Sequence, residues 1–491
     1  MNVMPRSGKE LVYAVRLQVV ARYIGQFFLL IALLTLAPLL VAVLTGEKQV
    51  ALSYLGVVGL LGVIGLGFIR IPEPRRLQIN EAMLLAALVF LLTPLVMTIP
   101  MVVAGVPWLD AFFETVSATT TTGLSTLATV EDKPAAFLFA RAWMQWYGGL
   151  GIVVLSLALV VRPGLASLRL AETAPPENDL VGGTRAHARR VLKVYGALTA
   201  GGILGWVVLG GSPWEGLLYV LSAVSTGGFA PTDGSLADLS GNRFAWLVSL
   251  FCLAGAIPLA LYHTAWRKDW RRFFANLEVR LLLLAVGLVT LLLVLCLIFS
   301  GGMGWKQVLF HAPILAFSAQ TTAGFSSLEV GSLDAASQVV LIVSMAVGGS
   351  IGSTAGGFKL LRLVILFSLM ARYIKLLSVP SNAVIDIRVG ERHLGCDEAL
   401  DALLLILLFG GAVVLSWLPF LLYGFAPLPA LFEVVSALGT VGLSSGVSSP
   451  ELPALLKLIL CADMLLGRLE LVAWLLILYP RTWFGQRRGF P

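Results

Sequence analysis

Serine, alanine, threonine and glycine recur at one spacing, Ser-Ala-x-x-Thr-x-Gly followed by Leu or Phe, four times along the 491 residues. The copies run from Ser117 to Leu124, Ser222 to Phe229, Ser318 to Phe325 and Ser436 to Leu443. Such segments offer little except backbone carbonyl and hydroxyl oxygens, the ligands that replace the hydration shell of an ion such as K⁺ in a channel filter. Glycine admits dihedrals that turn successive carbonyls toward a common axis, and threonine adds a hydroxyl on a stiff, branched side chain. The candidate ion-binding residues are Thr120, Thr121, Thr122 and Gly123; Ser225, Thr226, Gly227 and Gly228; Thr321, Thr322, Ala323 and Gly324; and Gly439, Thr440, Val441 and Gly442. One copy would be no more than a small-residue helix contact. Four copies, with glycines 105, 96 and 118 residues apart, mark a repeated supersecondary unit.

Each phrase is approached by a short segment beginning at Pro107-Trp108, Pro213-Trp214, Gly304-Trp305 or Pro427-Leu428-Pro429. Proline suits the first helical turn, where its missing N–H has no partner to lose. The segments are too short to cross a bilayer and are expected to be re-entrant helices. The non-helical backbone after each then lines a water-filled path, because irregular backbone at membrane depth is tolerated only there or within protein. The negative C-terminal ends of four such helices, aimed at one cavity, favour a cation.

The chain is 58% hydrophobic and 12% charged, with mean hydropathy +0.91, far from the roughly one-quarter charged composition of a soluble domain. About ten apolar stretches are long enough to span, at 24–45, 50–70, 81–104, 136–161, 191–211, 243–263, 280–300, 337–371, 399–423 and 453–479. The first follows Arg16 and Arg22 but is too long for a signal-peptide core, and is expected to be a retained helix. The net charge of +7 is distributed by topology rather than as a nucleic-acid surface. Basic clusters (Arg6 to Arg22, Arg70 to Arg76, Arg185 to Lys193, Arg267 to Arg272, Lys359 to Arg392, Arg481 to Arg488) alternate with acidic loops after the four phrases (Glu131 and Asp132, Asp233 and Asp238, Glu329 and Asp334, Glu451). The positive-inside rule then puts both termini in the cytoplasm and opens all four phrases to the outside. Cys252, Cys296, Cys396 and Cys461, like the four histidines, are dispersed without metal-ligand spacing.

Two further features lie at membrane depth. Residues 348–357 (Gly348, Gly349, Ser350, Ile351, Gly352, Ser353, Thr354, Ala355, Gly356, Gly357) contain five glycines, each costing about 1 kcal/mol relative to alanine inside a helix. The helix is expected to break there, either as a close-packed kink or as a moving obstruction. Ser350, Ser353 and Thr354 are candidates to satisfy the freed backbone groups. Arg468 falls within the last apolar stretch, where a charge costs at least about 2.5–3.5 kcal/mol. Asp463 and Glu470 are near in sequence but not at helical pairing distance, leaving a pore-facing charge and a buried ion pair as alternatives. Glu114 and Glu433, in the short helices, are explained by solvation or packing.

These features closely resemble the TrkH-type members of the Trk/Ktr/HKT superfamily of potassium transporters, over nearly the whole chain. Besides the four phrases, the resemblance rests on Gln145-Trp146-Tyr147-Gly148-Gly149-Leu150-Gly151-Ile152, on Gly348 to Lys359 and on Gly467-Arg468-Leu469-Glu470. It implies an all-α polytopic membrane protein: two extra N-terminal transmembrane helices (1–78), then four outer helix–pore helix–inner helix repeats around a pseudo-fourfold pore (79–190, 191–278, 279–395 with a broken inner helix, 396–491). It also implies potassium uptake across a bacterial inner membrane, with K⁺ held at the four phrases. Residues 348–357 would form a gating loop beneath the filter, with Arg468 as a positive barrier. The implied assembly is a homodimer in the lipid bilayer carrying a cytosolic ring of TrkA-type nucleotide-binding regulatory subunits. No nucleotide motif occurs in the chain itself, and neither a protease motif nor a paired-carboxylate motif points to an enzyme. A sodium-permeable or Na⁺/H⁺-coupled relative is the alternative; a serine in place of the first filter glycine accompanies sodium transport in the superfamily, and glycine at 123, 228, 324 and 442 favours potassium.

Overall fold

The computed structural model describes residues 14–72, 78–160, 180–266, 269–300, 303–380, 387–389, 392–469 and 471–484. Of the residues used above, Arg6, Lys9, Arg75, Arg76, Arg267, Lys268, Glu470, Arg487 and Arg488 lie outside this set. The described chain is helical apart from one short hairpin, β1 (Ile387–Val389) paired antiparallel with β2 (Arg392–Leu394).

Two long apolar helices, α1 (Leu17–Leu44) and α2 (Lys48–Ile69), form an N-terminal hairpin. They cross where Gly25 and Gly65 meet, since a Cβ on either would fall within 3.0 Å of the other helix, the close approach that small residues permit. Four units follow. The first comprises α3 (Ile79–Val103), α4 (Trp108–Thr119) and α5 (Ala135–Val160); the second α6 (Leu180–Val208), α7 (Pro213–Val224) and α8 (Asn242–Ala256), continued by α9 (Tyr262–Trp266) and α10 (Trp270–Ala275). The third comprises α11 (Leu277–Phe299), α12 (Trp305–Gln320), α13 (Ala335–Val347) and α14 (Leu360–Leu376). The fourth comprises α15 (Cys396–Leu422), α16 (Pro427–Leu438), α17 (Ala454–Arg468) and α18 (Val472–Leu478), before a terminal turn α19 (Arg481–Phe484).

The four short helices form the centre. Every residue of α4 from Asp110 to Thr119 is buried, and α7, α12 and α16 are similarly enclosed over their last two turns. Pro213 and Pro427 occupy the first helical position, while Pro107 and Gly304 stand just before it. The long helices around them present leucines outward, among them Leu33, Leu66, Leu284 and Leu415, as a lipid-facing surface requires.

Among the described residues, six helices are individually long and apolar enough to span: Leu17–Leu44, Lys48–Ile69, Asn80–Val103, Ala188–Val208, Leu277–Phe299 and Asp397–Leu422. Three of the apolar stretches are divided. The break at 348–357 is the anticipated one. The stretch 243–263 bends by 91° between Ala256 and Leu259, because Pro258 lacks an N–H and excludes the preceding Ile257 from helical ψ (142°). The last stretch also departs from a continuous span: α17 stops at Arg468 and α18 begins at Val472.

Candidate functional site

The four short helices end in the same hydrogen-bond pattern. The N–H of Thr121, Thr226, Thr322 and Thr440 donates to the carbonyl of Ala118, Ala223, Ala319 and Ala437 at 3.1, 3.0, 3.2 and 3.0 Å. The next N–H, of Thr122, Gly227, Ala323 and Val441, reaches back to Ser117, Ser222, Ser318 and Ser436 at 2.9, 2.8, 2.9 and 2.8 Å. This pair of bonds is the Schellman closure, which normally places glycine in the left-handed position. Here threonine occupies it four times, at φ 54°, 52°, 54° and 49°. A residue held there costs about 1–3 kcal/mol and persists only where its surroundings over-determine it. Two residues on, Gly123, Gly228, Gly324 and Gly442 also have positive φ, 88°, 81°, 75° and 96°.

These glycines close a ring. A Cβ on Gly123 would strike the carbonyl oxygen of Gly227; one on Gly228, that of Ala323; one on Gly324, that of Val441; and one on Gly442, that of Thr122. Each segment therefore packs backbone to backbone on the next, and the fourth returns to the first. Four carbonyls, of Thr122, Gly227, Ala323 and Val441, sit at the four seams. The packing that seals the ring leaves no space for a side chain at the glycine positions.

The glycine-rich segment 348–357 lies against one end of this ring. Gly357 N–H donates to Gly439 O at 3.0 Å, Gly356 N–H to Thr322 Oγ1 at 2.6 Å, and Thr354 Oγ1 is 3.2 Å from Thr226 Oγ1. Three of the four segments are thus touched. Further bonds secure the loop laterally: Thr354 N–H to Gly255 O at 3.2 Å, Thr354 Oγ1 to the same carbonyl at 3.0 Å, and Ile351 N–H to the buried Glu278 carboxylate at 2.8 Å. Lys359 Nζ donates to Ala355 O. Ser353 and Thr354 do bond to freed backbone groups, Ser353 through Ser350 O at 2.7 Å. The Ser350 hydroxyl, expected to do likewise, is buried without a hydrogen-bond partner among the described residues. Arg468 is 4% exposed and donates to Thr354 O at 2.9 Å and Gly148 O at 3.3 Å. Its side chain thus bridges the loop and the first inner helix. Asp463 instead accepts from Ser416 Oγ at 2.6 Å, so it is not the partner of Arg468.

A family model described as a cation transport protein, TrkH, matches residues 92–481. The chain belongs to the TrkH family. Along its length this TrkH-family chain is 29% identical over 486 residues to the Trk system potassium uptake protein TrkH of Halomonas elongata, covering 95% of this chain and 99% of that one. It is 26% identical over 470 residues to an uncharacterized cation transporter of Methanocaldococcus jannaschii, covering 95% and 96%. Its fold matches the crystal structure of the potassium transporter TrkH from Vibrio parahaemolyticus with a TM-score of 0.85 at 24% identity, over 96% of this chain and all of that one. The all-α, pseudo-fourfold architecture is therefore that of the TrkH fold, and the family is one of transport proteins, not enzymes.

All sixteen phrase residues singled out in this TrkH-family sequence converge on the ring, and all ten loop residues with Arg468 lie together at its end. The supports behind the ring were harder to foresee. Glu114 and Glu433 are buried, not solvated, and each holds the chain leaving its own segment. Glu114 accepts from Ser125 Oγ at 2.5 Å and Thr126 N–H at 3.3 Å. Glu433 accepts from Ser444 Oγ at 2.5 Å, Ser445 N–H at 2.8 Å and Ser448 Oγ at 2.8 Å. Arg141 approaches Glu114 at 2.9 Å as an ion pair without hydrogen-bond alignment, and Lys457 bonds Asp110 at 2.5 Å. Arg141 and Lys457 carried one available signal, a charge within an apolar stretch, which marks function or a buried partner.

Proposed function

We propose that the protein conducts K⁺ into the cell through the ring, with the sixteen phrase residues as its selectivity filter. The observation that carries this reading is the cyclic seam of four backbone segments in one strained conformation. Nothing in helix packing alone requires the same left-handed turn at four threonines, whereas a cage of fixed carbonyls for a dehydrated cation is served by one repeated backbone conformation. The negative ends of α4, α7, α12 and α16 add a favourable potential for a cation at the same place. Glycine at 123, 228, 324 and 442 and the Halomonas relative's name both favour potassium as the ion carried.

The 348–357 loop then acts as the gate. Its bonds to Thr322 and Gly439 obstruct the inner end of the ring, and Arg468 adds a positive charge that both anchors the loop and repels cations in a low-dielectric passage. Val15 N–H donates to Thr482 O at 2.9 Å, so the two ends of the described chain lie on one side of the membrane; the basic clusters make that side cytoplasmic. A homodimer in a bacterial inner membrane, opened by a cytosolic TrkA-type ring that binds the nucleotide, completes the reading. Flux into proteoliposomes of the purified protein tests it. K⁺ and Rb⁺ are expected to enter and Na⁺ and Li⁺ to be held back; equal entry of all four would remove the filter assignment.

A further inference from the structure

The position between threonine and glycine in the four segments holds Thr122, Gly227, Ala323 and Val441. Only the second has no side chain, and the space is filled from elsewhere. A Cβ on Gly227 would fall within 3.0 Å of three atoms of the Gln145 carboxamide, Cδ, Oε1 and Nε2. Gln145 belongs to α5, the inner helix of the first unit, yet its amide is spent wholly on the second segment. Its Nε2 donates to Gly227 O at 2.5 Å, and its Oε1 accepts from Phe229 N–H at 3.2 Å. The carboxamide thus clasps the two peptide groups on either side of Gly228. It is fully buried, so no water competes for it.

One helical turn earlier on the same face of α5 stands Arg141, whose guanidinium carbon lies 3.7 Å from the centre of the Phe229 ring while the side chain pairs with Glu114. The first inner helix therefore grips residues 227–229 at two points. The second and fourth inner helices lack these groups. Gly148, Gly255 and Gly467 each pack on the last carbonyl of their own pore helix, those of Thr119, Val224 and Leu438, which puts the three helices in register. Three residues before Gly255 and Gly467 stand Cys252 and Met464, and seven before stand Val248 and Leu460, none of which can reproduce the two-sided bond or the charge.

We propose that Gln145 is a specificity-determining positioning residue, which fixes the Gly227 carbonyl in the ring from outside the segment. This rests on the ring being the filter. Gly227 O is also the oxygen against which Gly123 packs, so a loosened Gly227 peptide disturbs the seam between the first two segments. Selectivity then depends on a side chain that never touches the ion, because a carbonyl free to rotate accommodates the smaller Na⁺.

The test compares K⁺ and Na⁺ flux in proteoliposomes for the full-length protein, Gln145→Met, Gly227→Ala and the double variant. Gln145→Met keeps the volume and removes both bonds; Gly227→Ala displaces the carboxamide with a methyl group. Each single change is expected to lower the K⁺-over-Na⁺ ratio about tenfold, the scale of one or two lost hydrogen bonds, and in Gln145→Met, which leaves the ring residues themselves unaltered, maximal K⁺ flux is expected to change far less. The double variant should be no worse than the weaker single, since both act through one contact. A wild-type ratio in folded Gln145→Met, or a double variant that multiplies the two losses, would overturn the proposal. If Gln145→Met does not assemble, Gly227→Ala decides alone, a wild-type ratio there again counting against it. Failure of both to assemble would make the clasp a folding element and likewise sink the specificity role. An unselective parent protein would remove the filter itself, whereas a selective parent with unaffected variants removes only Gln145.

Discussion

The threonine of each phrase turns the chain out of the helix in a conformation that glycine would adopt more cheaply, and the hydroxyls of Thr226 and Thr322 also face the proposed gating loop. The repeated spelling of the phrase made this position visible in the sequence, since Ser and Ala supply the two carbonyls of the closure and Gly the following close approach. Gln145 was visible only as a letter in a family motif, because its partners are 82 and 84 residues away and no local pattern encodes them. Arg468 was recognisable as a costly charge, but its partners are carbonyls, which carry no sequence signal. Of its two candidate acidic partners this removes Asp463, while Glu470 lies outside the described residues. Arg468→Ala leaves Thr354 O and Gly148 O without their donor and removes the proposed barrier charge, so basal K⁺ flux is expected to rise on the order of tenfold with the K⁺-over-Na⁺ ratio retained. Adding Asp463→Asn should restore nothing, because Asp463 bonds Ser416 instead. Proteoliposome flux and thermal stability of the two variants check this; restoration by the second substitution would reinstate the ion pair.

Among the elements, the inner helices differ most from what apolar periodicity predicts. Five glycines in ten positions announced the interruption of the third. The second breaks at a single proline within an apolar run, where Pro258 turns the chain by 91° and lets Leu259 N–H reach Gly352 O at 3.3 Å. The fourth ends at Arg468 as that residue bends to the loop. These breaks surround residues 348–357, so the proposed gate is held by the bent second helix, by Glu278 at the start of α11 and by Arg468 together. Removing part of residues 350–356 is expected to raise basal K⁺ flux at least severalfold, since hydrogen bonds worth about 1 kcal/mol each are lost while the ring stays intact. A folded deletion protein with parental flux would reduce the loop to a packing element.

At the level of the molecule, the fold was legible because four copies of one unit, each with a helix too short to cross, admit few arrangements in a bilayer. What the sequence left open was closure. Four similar segments dictate neither that the first meets the fourth nor which carbonyl sits at each seam. Those contacts, Gly123 on Gly227 through to Gly442 on Thr122, turn four equivalent loops into one site, and they are the basis for assigning it a single dehydrated cation. On our reading this site binds K⁺ by its carbonyls. Anomalous diffraction from crystals grown in Rb⁺, which stands in for K⁺, addresses it directly. A peak is expected inside the ring, coordinated by carbonyls that include those of Thr122, Gly227, Ala323 and Val441, and it is expected to persist when Na⁺ is added in excess of Rb⁺. A ring with no peak, or with Rb⁺ bound only elsewhere, would contradict it.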